Sequence, residues 1–475
     1  MRKLIYILIL ITIGCNRKSP DIHDSGASLI TGTYHFDSTK NSLLLASYNI
    51  APEEYNSSLI QLDSNQNFTY PIYVEFPQPL TISAHRPFNL FIFPGDTINV
   101  NISDSLQLTC NNRIHQNFIL NYLKLNDLIQ ESINKFPFYE SVQNNIPEQF
   151  KSSQYNFRNR LSEKIKLFLK EESIQDKDFE EMALLEVQYL AARHLIDYKL
   201  LNKIQYKKEV ILPDNFFSLA DSLTKYQTVN FVTYNYFSFL NRLQLLYDFE
   251  KIDALLEHLN NKSQTLTQDI LLARSLHAVL QRDSINTATR YIDLYKDNIV
   301  NPFIRQSLLE SYDRKLAILK NPNIKNAILT DLTTETEKNE VLNQLRKDHK
   351  GKVIYVKFWG PWCGPCMEEI PYDKMLIDQL ASFDFAFVNL CIKTTKENWV
   401  YTIKDKQMSG YHYLLNDDQY NELADLFNIN GVPFHVLIGK DGAIENKNAP
   451  SPGSAIYNGL DKNFLDEISK LLNSE

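Results

Sequence analysis

Glycine is scarce in this chain. There are 13 in 475 residues, where a usual share of roughly 7% would give about 33. None lies between Gly95 and Gly351, and nine fall from Gly351 onward. Glycine supplies positive-φ turns and close backbone approaches. A stretch of about 255 residues without any is therefore neither a hairpin-rich sheet nor a phosphate-cradling loop fold, and the chain joins at least two unlike pieces. A basic excess is missing too. Lys and Arg number 49 against 57 Asp and Glu, a formal charge of −8, which excludes a nucleic-acid partner recruited by bulk charge. Cysteine is sparse. Of Cys15, Cys110, Cys363, Cys366 and Cys391 only two are close in sequence, so the chain is not a small disulfide framework. Hydrophobic residues at 44% and charged residues at 22% exclude general disorder and predict two to four domains, at about 100–200 residues each.

No long apolar run opens the chain. Met1-Arg2-Lys3 is basic, and Leu4 to Ile13 is apolar except for Thr12. That is too short for a relaxed bilayer span of about 20 residues, and it has the length and flanks of a secretory signal peptide. Gly14 directly before Cys15 resembles the lipobox of bacterial lipoproteins, with Thr12 where leucine is usual. The resemblance implies cleavage after residue 14 and a lipidated Cys15, hence a membrane anchor. Residues 1–14 are then signal peptide and 15–27 a polar tether.

Residues 28–112 read as a β-sandwich. Ser42 to Tyr48, Phe68 to Val74 and Phe88 to Phe93 are short apolar or alternating runs. Pro94-Gly95-Asp96 is a turn, and Ile98 to Ile102 alternates strictly, as a half-buried strand does. The strand, PGD turn, strand pattern resembles the small N-terminal β domain of many lipid-anchored thioredoxin-like proteins. Residues 113–334 read as helix after helix, with helical periodicity in Asp178 to Ala192, Ile252 to Leu256 and Asp269 to Leu276. Breaks are expected at Pro137, Pro147, Pro213, Pro302 and Pro322. The aromatics Phe216, Phe217, Tyr234, Tyr236, Phe237 and Phe239 fit core packing, or else an exposed groove for clients. Residues 335–475 return to mixed α/β, with strands expected at Lys352 to Trp359, Phe383 to Ile392 and Phe434 to Ile438.

The chemistry concentrates in Trp359-Gly360-Pro361-Trp362-Cys363-Gly364-Pro365-Cys366. A cysteine at a helix N-terminus meets unpaired backbone N–H groups and the positive end of the macrodipole, which favour its thiolate. Two intervening residues bring the second sulfur within disulfide reach. Cys363 is the expected nucleophile toward a client disulfide, and Cys366 the thiol that resolves the mixed disulfide. Pro365 pre-sets helical φ, and Gly364 leaves room for a client backbone. Zinc needs four ligands; no second Cys-x-x-Cys or paired His lies near, so no metal is expected. Cys110, Cys391, His412 and His435 read as structural.

The Trp-Cys-Gly-Pro-Cys constellation resembles thioredoxin, and more closely the thioredoxin-like disulfide reductases of the bacterial envelope. Glu369 and Pro371 after the second cysteine, and Gly431-Val432-Pro433 before a strand, match that family. The resemblance implies an α/β thioredoxin-like domain and a redox-active Cys363–Cys366 disulfide with no further cofactor. Pro433 would be cis, with client contact at Trp362, Gly364, Pro365, Val432 and Pro433. Partners would be client protein disulfides and a membrane electron donor. One position departs: where thioredoxin buries an aspartate beneath the cysteines, this chain has Lys357. Desolvation would lower the lysine pKa and make it a neutral base; if charged it would favour the Cys366 thiolate; or it would snorkel to solvent. Lys357 and Glu369 are thus candidate modulators. Function reads as an envelope disulfide reductase facing the periplasm. The alternative is a binding or scaffold lipoprotein with an idle redox module.

Overall fold

The computed structural model describes residues 26–473 apart from 37–41, 50–53, 75, 85–86, 104–105, 225–231, 247–264, 322, 325, 335–339 and 455–458. Cys15, the signal segment 1–14, most of the tether 15–27 and the run Ile252 to Leu256 lie outside the described residues.

The β part forms two four-stranded sheets. One has the order β4 (Asn67–Val74), β1 (Gly26–Tyr34), β7 (Thr97–Ile102), β8 (Leu106–Cys110). The other has the order β3 (Glu54–Gln61), β2 (Ser42–Asn49), β5 (Gln78–Ser83), β6 (Pro87–Ile92). Strand β1 already begins at Gly26, inside the expected tether. The Pro94-Gly95-Asp96 turn works as its sequence suggests. Gly95 takes φ +79°, a conformation other residues avoid, and its N–H donates to Ser28 Oγ at 2.9 Å.

Helices follow, and their starts carry local signals. Asn112, Asp176 and Ser284 cap the helices Arg113–Asn134, Lys177–Ile204 and Ile285–Tyr295 through their side chains. Thr265 and Gln268 form a capping box at Leu266–Arg282. Pro147 and Pro302 sit in the first turn of Pro147–Glu171 and Pro302–Lys320, where the missing N–H costs nothing.

Two features of packing are invisible in the sequence. First, the sandwich and the first helices share one core. Ile30, Leu90 and Ile98 cluster with Phe118, Tyr122, Phe157 and Phe179, and the Phe91 and Tyr122 rings lie 4.9 Å apart. Residue 112 is therefore a change of secondary structure and not a boundary between cores. Second, the aromatics of the middle segment pack inward. Phe216, Tyr236, Phe237 and Phe239 are buried, while Tyr234 is exposed.

The C-terminal sheet has six strands: β14 (Ile444–Asn446), β13 (Phe434–Ile438), β10 (Val353–Trp359), β11 (Phe385–Cys391), β12 (Gly410–Leu414) and β9 (Ala327–Asp331). Strand β9 pairs in parallel with β12, so the sheet recruits residues from before 335, within the segment expected to be helical. Strand β10 is buried along its whole length. Val353 and Tyr355 face Leu376, Phe464 and Ile468; Ile354, Val356 and Phe358 face Leu345, Leu423 and Phe427. This alternation is what period-two strand geometry requires of a sheet covered on both faces.

Helix Pro302–Lys320 docks on helix Lys396–Asp405 through a buried lysine. Lys315 Nζ, fully buried, donates to Asn398 Oδ1 at 2.5 Å and to the Leu280 carbonyl, and lies 5.0 Å from the Tyr401 ring centre. Burial lowers the Lys315 ammonium to about 8. The folded state then binds fewer protons than the unfolded chain between pH about 8 and 10.5, so stability rises with pH across that window. All three tryptophans, Trp359, Trp362 and Trp399, belong to the C-terminal unit. Urea titrations followed by their fluorescence are expected to show this rise, on the order of 2 kcal/mol, and Lys315→Met is expected to abolish it. An unchanged pH slope in the variant would overturn the assignment.

Candidate active site

Strand β10 ends at Trp359, and the chain turns through Gly360-Pro361-Trp362 into helix Gly364–Gln379. Cys363 is the N-cap of that helix and its Sγ accepts the Cys366 N–H at 3.2 Å. The sulfur thus occupies the place of an oxygen cap at the positive end of the helix. Cys363 and Cys366 are joined in a disulfide, with Cα atoms 5.2 Å apart. Helix Gly364–Gln379 runs through Pro371.

The other site residues converge here from separate elements. The Val432–Pro433 peptide is cis, and the Val432 carbonyl oxygen lies 3.5 Å from Cys363 Sγ. Gly364 and Pro365 are exposed, and Val432 and Pro433 half-buried. Trp362 is 52% exposed, and its indole N–H points to the Ile392 carbonyl at 3.4 Å. Gly360 permits this pose: a Cβ there would stand 2.5 Å from Trp362 Nε1. Cys363 itself is almost wholly buried, at 3%, between its exposed neighbours Trp362 and Gly364-Pro365. Cys391 pairs in register with Trp359; it is buried, and burial pushes its thiol well up. The Cys110 thiol is pushed up to about 11, chiefly by burial. Neither is an activated thiol.

Lys357 does not snorkel, and it is not made neutral. It is fully buried, facing the active-site helix. Nζ donates to Asp373 Oδ2 at 2.6 Å, Glu369 Oε2 at 3.0 Å and the Cys366 carbonyl at 3.3 Å. Burial works against its charge, but the two carboxylates outweigh it and raise the lysine above its usual value. Glu369 also accepts from His435 Nε2 at 3.2 Å. Two carboxylates therefore share one ammonium, and they respond differently. Burial raises both, but the His435 hydrogen bond and the Lys357 ammonium hold Glu369 down to about 2. Asp373 gives way: burial pushes it up to about 6 against the pull of Lys357.

Asp373 and His435 are functional candidates the sequence reading missed. Cys366, Glu369, Asp373 and Leu376 follow helical i, i+3, i+7, i+10 spacing, so one face carries them all toward the sheet. That spacing was a usable signal for Asp373. His435 could not be found this way, because it comes from β13, which pairs with β10 through the Lys357–His435 register.

A disulfide-bonded Cys-x-x-Cys at a strand-to-helix junction, faced by a cis-proline segment leading into a neighbouring strand, decides the architecture. The C-terminal unit is thioredoxin-like. A family described as thioredoxin-like matches residues 351–444. Among curated proteins, the thiol–disulfide oxidoreductase ResA of Bacillus subtilis is 24% identical over 140 residues, covering 30% of this chain and 67% of its own length. ResA of Bacillus anthracis is 29% identical over 122 residues, covering 25% and 63%. The chain spans about two thirds of the length of these relatives. A solution structure of a thiol:disulfide interchange protein from a Bacteroides species is 23% identical, covers 27% of this chain and 77% of its own, and gives a TM-score of 0.23. The thioredoxin-like unit is related to the thiol–disulfide oxidoreductases; the family match at 351–444 lies beyond the sandwich and the helical segment.

Proposed function

We propose that this chain reduces disulfides of client proteins in the bacterial envelope. The observation that carries the reading is the Cys363 sulfur, capping the active-site helix beside the Val432 carbonyl. In the reduced protein the Cys363 thiolate attacks a client disulfide, giving a mixed disulfide and one client thiol. Cys366 then attacks Cys363 Sγ, the second client sulfur leaves with the electron pair, and the Cys363–Cys366 disulfide forms. Val432 and Pro433 offer backbone to an extended client segment, and Trp362, Gly364 and Pro365 supply the surrounding surface. The Gly-Pro dipeptide between the cysteines favours the reducing direction, as in thioredoxin at about −270 mV. Two electrons must then come from a membrane donor. The Gly14-Cys15 pattern supports a lipid anchor at Cys15 that holds the chain on the periplasmic side. No helix among the described residues is long and apolar enough to cross a membrane.

Insulin reduction with a chemical donor tests the reading. Turnover well above the donor alone is expected, together with alkylation of Cys363 at pH 6, below the range of an ordinary thiol. Background turnover with an unreactive Cys363 would overturn it, in favour of a binding or scaffold lipoprotein.

A further inference from the structure

Four large apolar side chains stand in solvent at one end of the helical segment. Helix Lys177–Ile204 ends there, and helix Phe138–Asn144 lies against it. Tyr198 Oη donates to the Asn145 carbonyl at 2.8 Å, and Asn202 Nδ2 donates to the Val142 carbonyl at 3.5 Å. The Phe138 and His194 rings lie 4.4 Å apart in the same contact. Ile204 on the last turn, and Tyr139 and Ile146 across the contact, are each more than half exposed. Beyond the helix the chain folds back. Lys207 takes φ +51°, and the Lys208 N–H donates to the Asn202 carbonyl at 2.8 Å. Tyr206, Val210 and Leu212 pack on the helical core. Ile211 falls between two residues that face inward, and it is 96% exposed. Single exposed apolar residues are ordinary on a protein surface. Four at one end, held outward by neighbours that pack inward, form a surface.

Charge at that end runs against the charge of the chain. Residues 199–211 carry Lys199, Lys203, Lys207 and Lys208 against Glu209 alone, in a chain of formal charge −8. Glu140 and Glu148 belong to the Phe138 side, so the basic excess sits where Ile204 and Ile211 are. Lys203, Lys207 and Lys208 are all exposed. A cation in the last turn complements the helix dipole, which accounts for Lys203 but not for Lys207, Lys208 or the isoleucines. Composition points to the occupant. Protein interfaces are enriched in Arg and depleted in Lys, whereas residues 199–211 hold four lysines and no arginine. Aliphatic side chains flanked by lysines suit the boundary of a lipid layer. There the apolar groups enter the acyl region, and the lysine stems reach back to the headgroup phosphates.

We propose that this end of the helical segment docks on an anionic lipid surface, with Ile204 and Ile211 entering the headgroup layer and Lys203, Lys207 and Lys208 meeting lipid phosphates. Tyr139, with an apolar ring and a polar tip, suits the same depth. The lipid proposed at Cys15 and this face are then two attachments of one chain. The first sets the distance to the membrane, through a polar tether. The second sets the orientation of the helical segment, which a tether alone leaves free. The inference needs no redox chemistry.

The test uses the mature chain with Cys15→Ser, which carries neither leader nor lipid. Vesicles of equal parts phosphatidylcholine and phosphatidylglycerol are expected to co-sediment it, and vesicles of phosphatidylcholine alone to hold it far less. Binding should weaken as salt is raised. Changing Lys203, Lys207 and Lys208 together to Gln is expected to weaken binding to the anionic vesicles by roughly a hundredfold, at about fivefold per lysine. Ile204→Ser combined with Ile211→Ser is expected to weaken it by about tenfold or more. Urea midpoints and insulin turnover of both variants should match the parent, because all five side chains stand in solvent. A parent chain that ignores the anionic vesicles, or that is captured only by an acidic protein, would overturn the proposal. So would either variant binding the vesicles as tightly as the parent. A chain inert toward insulin that binds the vesicles through this face overturns the redox reading alone. An active chain that binds neither vesicle overturns this inference alone.

Discussion

Replacing Cys366 by Ala is expected to convert a turning-over reductase into a covalent trap. Cys363 keeps its place at the helix N-terminus and still attacks a client disulfide. The thiol that would release the client is gone, so mixed disulfides accumulate and multiple turnover falls to the level of the chemical donor. Cys363→Ser is expected to lose turnover as completely but to trap nothing, because the attacking sulfur is missing. The contrast distinguishes nucleophile from resolving thiol, a distinction that rests on which sulfur caps the helix. Non-reducing electrophoresis of the chain with a disulfide client, followed by mass spectrometry of the adduct, reads the outcome. Equal adduct from both variants, or none from Cys366→Ala, would reverse or remove the assigned order.

Removing the Lys357 ammonium is expected to have the largest effect on stability. Lys357→Met leaves Glu369 and Asp373 buried on the active-site helix without their ammonium, with His435 Nε2 still 3.2 Å from Glu369. Breaking a buried pair by deleting one partner costs about 3–5 kcal/mol. The thioredoxin-like unit should unfold at clearly lower urea concentration, followed by the fluorescence of its three tryptophans. The double variant Lys357→Met with Asp373→Leu should recover much of the loss, since apolar replacements of buried pairs are often neutral. The pH dependence has two signs. Glu369, held down to about 2, contributes stability that is fully present above pH about 4.5 and is lost as the pH falls toward 2. Asp373, pushed up to about 6, works the other way, and stability rises as it takes a proton below that pH. Lys357→Met should weaken the first effect and enlarge the second. A variant within about 0.5 kcal/mol of the wild type, the range of an ordinary surface substitution, would show that no buried ion pair is at stake.

The distribution of glycine already separated the parts of this chain. The order β, then all-α, then α/β, read from periodicity and turn signals, is the order of the structure. Those signals act over a few residues, which is why the PGD turn at Gly95 and the breaks at Pro147 and Pro302 could be read directly; the structure places both prolines in first helical turns. What the chain does over longer distances was less legible. Strand β9 belongs to the C-terminal sheet because it pairs with β12, about 80 residues away. The sandwich and the first helices merge into one core because Phe118 reaches across to Phe91 and Phe93 and packs edge-on against Phe179. Neither follows from local propensity.

The site divides along the same line. The sequence by itself determined that a Cys-x-x-Cys stands at the head of a helix after a buried strand, because strand period, proline placement and cysteine spacing are all local properties. It also showed that Lys357 stands where an acid is usual. Only the tertiary structure decided what that lysine is. An isolated buried lysine loses its charge to desolvation; Lys357 keeps it, because the helix brings Glu369 and Asp373 within 3.0 Å of Nζ while β13 brings His435 to Glu369. Charge state at a buried site is set by the partners that folding delivers, and those partners come from positions 12, 16 and 78 residues further along the chain.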